Sequence, residues 1–149
     1  MKKIVFLFAL TCTFLNSADI FKLVQALDRN DTKAFTSMII TIEDANTARS
    51  DNNKTILMYA TWVGNSDAVK YLLDKGANVN AQDISNATAL HLAIWKDHTD
   101  IAVYLLEHGA SSSSMSVDGM TPSDIALLRS NTKVIEAITK TKPKLKSLL

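Results

Sequence analysis

Residues 88–113 read TALHLAIWKDHTDIAVYLLEHGASSS, and residues 55–80 read TILMYATWVGNSDAVKYLLDKGANVN. Laid over each other at an offset of 33, they pair Thr55 with Thr88, Leu57 with Leu90, Ala60 with Ala93 and Trp62 with Trp95. Asp67 meets Asp100, Tyr71-Leu72-Leu73 meets Tyr104-Leu105-Leu106, and Gly76-Ala77 meets Gly109-Ala110. Asn53 and Asn86 extend the match upstream. A further step of 33 brings Thr88 onto Thr121 and Ala93 onto Ala126, within TPSDIALLRSNTKVIEAITK (residues 121–140). Self-similarity at a fixed period marks a stacked-repeat architecture, in which each unit buries its apolar face only against its neighbours.

Each copy reads as two helices. Thr55, Thr88 and Thr121 stand where an N-cap hydroxyl satisfies an open backbone N–H. A short apolar helix follows each. Gly64-Asn65-Ser66-Asp67 and Asp97-His98-Thr99-Asp100 then make the turn into a second helix, whose apolar residues recur at three- and four-residue spacing: Ala68, Tyr71, Leu72 and Ile101, Tyr104, Leu105. Gly76 and Gly109 end that helix where a left-handed residue is needed.

Three features make the pattern specific. They are Thr-Ala-Leu-His at 88–91, Leu-Leu-x-x-Gly-Ala at 72–77 and 105–110, and Asn-Val-Asn-Ala at 78–81. With the 33-residue period, these resemble the ankyrin repeat. The resemblance implies an all-α ankyrin-repeat solenoid of about four helix-turn-helix units with hairpin loops. A degenerate cap unit spans 19–49, where Leu23, Ala26, Asn30 and Met38 fall 34 residues before Leu57, Ala60, Gly64 and Leu72. Repeats span 50–82 and 83–115, and a C-terminal unit 116–140, giving a repeat domain over 19–140. The sequence departs from the pattern at Met58 and Asp124, which replace His, and at Asn53 and Asn86, which replace Gly. Residues 111–116, SSSSMS, replace Asn-Val-Asn-Ala, so a looser hairpin is expected there.

The ends read differently. Residues 1–18, MKKIVFLFALTCTFLNSA, have two lysines, a short apolar run and small residues at a cut after Ala18, the plan of a secretory signal peptide. The apolar run is well short of the roughly 20 residues of a membrane span. The alternatives are an ordinary first helix, or lipidation of Cys12 after ALT. Cleavage removes two lysines and no acids, taking the formal charge from +1 to −1, and removes the only cysteine. A thiol-free chain suits an oxidising compartment, so the expected location is periplasmic or secreted. Membrane contact is then expected only through the leader or a lipidated Cys12. Residues 141–149 form a basic tail, read as solubilising or as attracting an acidic partner or anionic lipid. The balanced charge argues against nucleic-acid binding.

The histidines, the obvious candidates for chemistry, read as scaffold. The resemblance implies that Thr88 and His91 bond locally and tie neighbouring units. His98 sits in the inter-helix turn, and His108 lies at a helix C-terminus beside Gly109, where a cation suits the dipole. The three fall on different parts of the unit, whereas a metal site needs converging ligands. No phosphate loop, His-Glu-x-x-His or Gly-x-Ser-x-Gly occurs. The expectation is therefore a monomeric, non-catalytic module that binds another protein and carries no cofactor or metal.

By the resemblance, the first helices and hairpin tips line a concave face where partners dock. The groove-facing positions after the conserved Ala are Thr61-Trp62-Val63 and Ile94-Trp95-Lys96, with Asp28-Arg29 and Leu128-Arg129 at the equivalent outer positions; the first-helix candidates among them are Trp62, Val63, Trp95, Lys96 and Arg129. The hairpin candidates are Asp51, Asn52, Lys54, Ile84, Ser85, Val117, Asp118 and Met120, with Ala87 beside them; for the apolar Ile84, Val117 and Met120 the alternative is a small contact between neighbouring hairpins. Two tryptophans one repeat apart fall side by side, and indoles are favoured hot-spot groups; packing within the stack or over the neighbouring unit is the alternative. Lys96, Arg29 and Arg129 flank them and suit a partly acidic partner. A second reading, a carrier of haem or another flat cofactor, rests on Tyr59 with Met58 and Trp62, since a tyrosinate can ligate haem iron.

Overall fold

The computed structural model describes residues 17–39 and 41–141. The first sixteen residues, with Cys12, and the tail from residue 142 lie outside the described residues. Among the described residues the fold is helical, with one isolated bridge between Ala48 and Thr55. The elements are α1 (Ser17–Asp28), α2 (Thr32–Met38), α3 (Ile42–Ala45), α4 (Ile56–Val63), α5 (Ser66–Asp74), α6 (Ala89–Trp95), α7 (Thr99–Glu107), α8 (Pro122–Leu128) and α9 (Thr132–Thr141). α1, α4, α6 and α8 pack in sequence as one row. α2 packs on α5, and α7 on α9, in a second row. α5 and α7 face each other across a cleft of about 310 Å³ lined by Val69, Ile101 and Tyr104. The result is an all-α repeat solenoid.

The repeat is written most regularly in the backbone. Asn30, Gly64, Asp97 and Ser130, at the four inter-helix turns, have φ of 54°, 78°, 61° and 53°. The following N–H of each bonds back across the turn: Asp31 to Ala26 O, Asn65 to Ala60 O, His98 to Ala93 O and Asn131 to Ala126 O, at 2.8–3.0 Å. These bonds satisfy carbonyls that a helix end leaves open. Four different side chains meet one backbone demand, which hides the period from a residue-by-residue comparison. Only Gly64 has a second constraint. A Cβ there would stand 2.7 Å from His98 Cε1, because the His98 ring packs over the turn of the preceding unit.

Helix starts are capped from side chains. Thr55 Oγ1 accepts from Met58 N, Asn65 Oδ1 from Ala68 N, Thr121 Oγ1 from Asp124 N and Asn131 Oδ1 from Val134 N. Behind the caps run rows of equivalent buried residues. Leu23, Leu57 and Leu90 are all at most 1% exposed, and so are Leu72 and Leu105. Ala60, Ala93 and Ala126 are completely buried, small enough for neighbouring helices to approach. One member breaks the pattern. Thr61, expected to face the groove, is instead fully buried, and its hydroxyl has no hydrogen-bond partner among the described residues, whereas Ile94, likewise buried and not in the groove, fills the equivalent place in the next unit. Thr61→Val keeps the shape and removes a desolvated hydroxyl. It is expected to raise the unfolding free energy by about 1 kcal/mol, read as a higher urea midpoint at unchanged slope; a lower midpoint would mean that the hydroxyl is bonded.

The hairpins are joined to one another. Each has the same closing backbone bond of 3.0 Å: Arg49 N to Lys54 O, Asp83 N to Ala87 O and Ser116 N to Met120 O. The looser third hairpin expected from SSSSMS is therefore not found at the closing bond. What that hairpin lacks is the Asp83 carboxylate, which accepts from Ser85 N and Ala87 N in the second hairpin. The first hairpin carries one extra residue. Between hairpins, Ile84 N donates to Asn52 O and Val117 N to Ser85 O. At the other end of the loops, Asn46 bonds Gly76 O and Asn78 N, and Asn80 bonds Gly109 O and Ser111 N in the same manner. Stacking is thus set by polar ties as well as apolar burial.

Candidate partner-binding face

The two indoles lie outside the core. Trp62, next to last in α4, is 43% exposed, and Trp95, which ends α6, is 52% exposed. Burial within the stack, one of the alternatives left open by the sequence, is not what the structure adopts; contact with the neighbouring unit, the other, is made by one cation on each ring. Instead each indole carries a cation from a later position. Lys96 Nζ stands 4.2 Å from the Trp62 ring centre, with Lys54 Nζ at 5.6 Å, and the Arg129 guanidinium stands 6.0 Å from the Trp95 ring. Both close pairs span 34 residues, so the residue after the tryptophan position in one unit covers the tryptophan of the unit before. A cation over an indole face is worth about 0.5–1 kcal/mol at an exposed site, enough to bias the ring's orientation without burying it.

Other large apolar side chains are exposed too. Val63, Ile84, Val117, Leu127 and Leu128 are exposed. Leu128 is the equivalent of Trp62 and Trp95 in the last unit, where the 33-residue offset placed it; Leu127 gave no such signal. Beside Trp95 lies a shallow cavity of about 180 Å³ lined by Ala87, His91, Leu92, Trp95, Asp118 and Met120.

Other hairpin candidates are engaged within the scaffold. Asp51 is paired with Arg49, and that guanidinium holds its carboxyl below the usual carboxylate range. Asn52 Oδ1 accepts from Lys54 N, and the Ser85 backbone bonds on both sides. Met120 is half-buried against the core. Asp118 is exposed, and Arg29 is exposed at the far end of the row, beyond α1.

The histidines hold structure. His91 is 4% exposed. The Thr88 N–H donates to its Nδ1 at 3.1 Å, and the Thr88 hydroxyl stands 2.9 Å from the same nitrogen. Nδ1 is therefore an acceptor, and the proton sits on Nε2, which donates to Met120 O of the next unit at 3.3 Å. Burial pushes the His91 pKa below the ordinary imidazole value, opposed by the Met120 and Ser114 carbonyls and by Asp83. Asp124 plays the same capping part on α8 by accepting from Thr121 N and Oγ1, and those bonds hold its carboxyl below the usual range. Met58 cannot return the bond to Thr55. His98 Nε2 reaches Trp62 O at 3.3 Å, and His108 Nδ1 reaches Tyr104 O at 2.8 Å while stacking on that ring. Gly76 and Gly109 end α5 and α7 with φ of 85° and 86°.

Tyr59, Met58 and Trp62 do not converge. Met58 is 1% exposed in the core, Tyr59 is half-buried beside Arg49, and Trp62 lies outside beneath Lys96. Among the described residues no group of three His, Cys, Asp or Glu side chains is placed to hold a metal ion. No helix among them is long and apolar enough to cross a membrane.

A row of paired helices with an exposed aromatic edge defines a repeat-scaffold protein. Two family models match the sequence. One, described as Ankyrin repeats (3 copies), covers residues 12–83, and the other, Ankyrin repeats (many copies), covers residues 64–106. The chain belongs to the ankyrin-repeat family. Ankyrin repeats mark a protein–protein interaction module, and proteins built from them are typically non-catalytic. The first match overlaps the leader-like segment from residue 12, and α1 starts one residue before the expected cut's last residue. No curated protein sequence matches the chain.

Proposed function

We propose that this protein is an exported, monomeric, non-catalytic binding module that docks a partner protein on the concave ankyrin face, in the periplasm or outside the cell. The observation that carries it is the pair of exposed indoles on adjacent helices, in units whose Val63, Ile84 and Val117 are exposed as well. Contiguous exposed apolar surface usually signals contact with another molecule, and large rigid rings lose little freedom on being covered. Docking is an equilibrium with no bond made or broken. Export rests on the leader plan of residues 1–18 and the cysteine-free remainder.

The docking test is a crosslinked pulldown from the native source with the full chain as bait, beside a bait carrying Trp62→Ala and Trp95→Ala. Both side chains are exposed, so circular dichroism is expected to show the double variant folded. A protein captured by the first bait and lost with the second is the expected result; equal capture by both would move the site off this face. Export is checked by intact mass and N-terminal sequencing of the native protein, which is expected to begin at Asp19.

A further inference from the structure

We propose that the segment received on this face is an acidic peptide, with carboxylates three residues apart meeting Lys96 and Arg129 while apolar side chains cover Trp62, Trp95 and Leu128. This rests on the docking reading above and names the chemistry of its partner.

The charge on the face is one-sided. Among the described residues the ion pairs are Lys22–Asp19, Arg49–Asp51 and Lys140–Glu136. Lys54, Lys96 and Arg129 have no carboxylate partner among those residues, and they stand against the indoles. Of the acids among the candidates, Asp51 is already neutralised by Arg49, which leaves Asp118, and Asp28 at the far end of the row, against Lys54, Lys96, Arg129 and Arg29. A partner that brings only apolar groups would press on these cations and strip their water without replacing it. A partner that brings carboxylates forms charge-assisted bonds at the same positions. The ring beneath each cation restricts it, so less side-chain freedom is lost when the carboxylate arrives.

The spacing narrows the form. Packed helices lie about 8–10 Å apart, so the cations of successive units are separated by about that distance. A polyproline-type extended chain returns to the same face every three residues, about 9 Å along. Acids at i and i+3 of such a chain meet Lys96 and Arg129 in turn, and the residues between them lie against the indoles.

The test is selection of a random twelve-residue peptide display library on the full chain, in parallel with the Trp62→Ala/Trp95→Ala double variant and with Lys96→Gln/Arg129→Gln. Peptides captured only when the indoles are present form the informative pool. Tryptophan-free members are then titrated by protein emission, which reports this face alone because Trp62 and Trp95 are the only two tryptophans. The pool is expected to be rich in Asp and Glu and poor in Lys and Arg. The two glutamine changes are expected to weaken binding about ten-fold together, at about three-fold for each exposed charge pair, with the loss shrinking as salt rises. An indole-dependent pool that is neutral or basic, or indifferent to the glutamine changes, overturns the acidic partner and leaves the docking face standing. A pool in which no capture depends on the indoles overturns both.

Discussion

Leu90→Ala is expected to lower the unfolding free energy by about 3–5 kcal/mol, the range for a fully buried leucine whose surroundings close only partly. Leu90 is completely buried in α6, which packs on α4 before it, on α8 after it and on α7 within its own unit. Its equivalents, Leu57 and Leu23, continue the row toward the cap, but Ser123 takes the place in α8. The leucine row therefore ends at Leu90. A repeat stack is stabilised by unit-to-unit interfaces, so a cavity here weakens two of them at once. Against a typical total of about 5–15 kcal/mol, the loss is a large fraction. Urea unfolding followed by far-ultraviolet circular dichroism checks it, with a lower midpoint and a shallower or split transition as the α8–α9 unit uncouples. Leu128→Ala is the control: it is 68% exposed, and a change within about 0.5 kcal/mol is expected. A small effect at Leu90 equal to that at Leu128 would mean that the first helices do not stack through this row.

The fold was legible because its demands recur. Thr at three first-helix starts, Ala at the helix crossing of every unit and Gly-Ala at the ends of two second helices answer the same local geometry wherever they occur, so an offset of 33 finds them outside the cap. The inter-helix turn was harder. Its left-handed position is filled by Asn30, Gly64, Asp97 and Ser130, four residue types that share a backbone shape and little else. The polar ties from Asn46 and Asn80 were missed because they join units, and the first lies in the degenerate cap where the offset is 34.

The candidate face was half legible. Sequence gave the side-by-side positions of Trp62 and Trp95, but exposure depends on how far each ring leans toward the neighbouring unit, which no local pattern encodes. The cation over each indole follows from the same 34-residue step, and it becomes visible only once the units are stacked. The hairpin candidates could not be sorted beforehand either. Ile84 and Val117 use their backbones to join hairpins and leave their side chains outside, whereas Met120 turns inward and gives its carbonyl to His91.

Replacing His91 is expected to cost about 2–3 kcal/mol, because three bonds depend on one ring. His91→Ala removes the acceptor for the Thr88 N–H and hydroxyl at the start of α6, a capping loss of about 1 kcal/mol. It also strands Met120 O in a half-buried hairpin, at a further 1–2 kcal/mol or so. The same geometry fixes a pH dependence. Burial favours the neutral imidazole, so the folded-state pKa lies below the unfolded value of about 6.5. Above pH 6.5 or so, both states hold the ring neutral and its full contribution is present. As the pH falls below that value, the unfolded chain takes up a proton that the folded chain refuses. Stability then declines until the folded pKa is passed. A charged ring would have a proton on Nδ1 facing the Thr88 N–H, so the cap opposes protonation as well. Denaturant melts of wild type and His91→Ala across pH 5–8 separate this term from the rest, because His98 and His108 are present in both. The two stability curves are expected to lie furthest apart near neutral pH and to converge toward acid. Parallel curves would show that His91 accepts its proton freely in the folded chain and does not hold the Thr88–Met120 tie as a neutral ring.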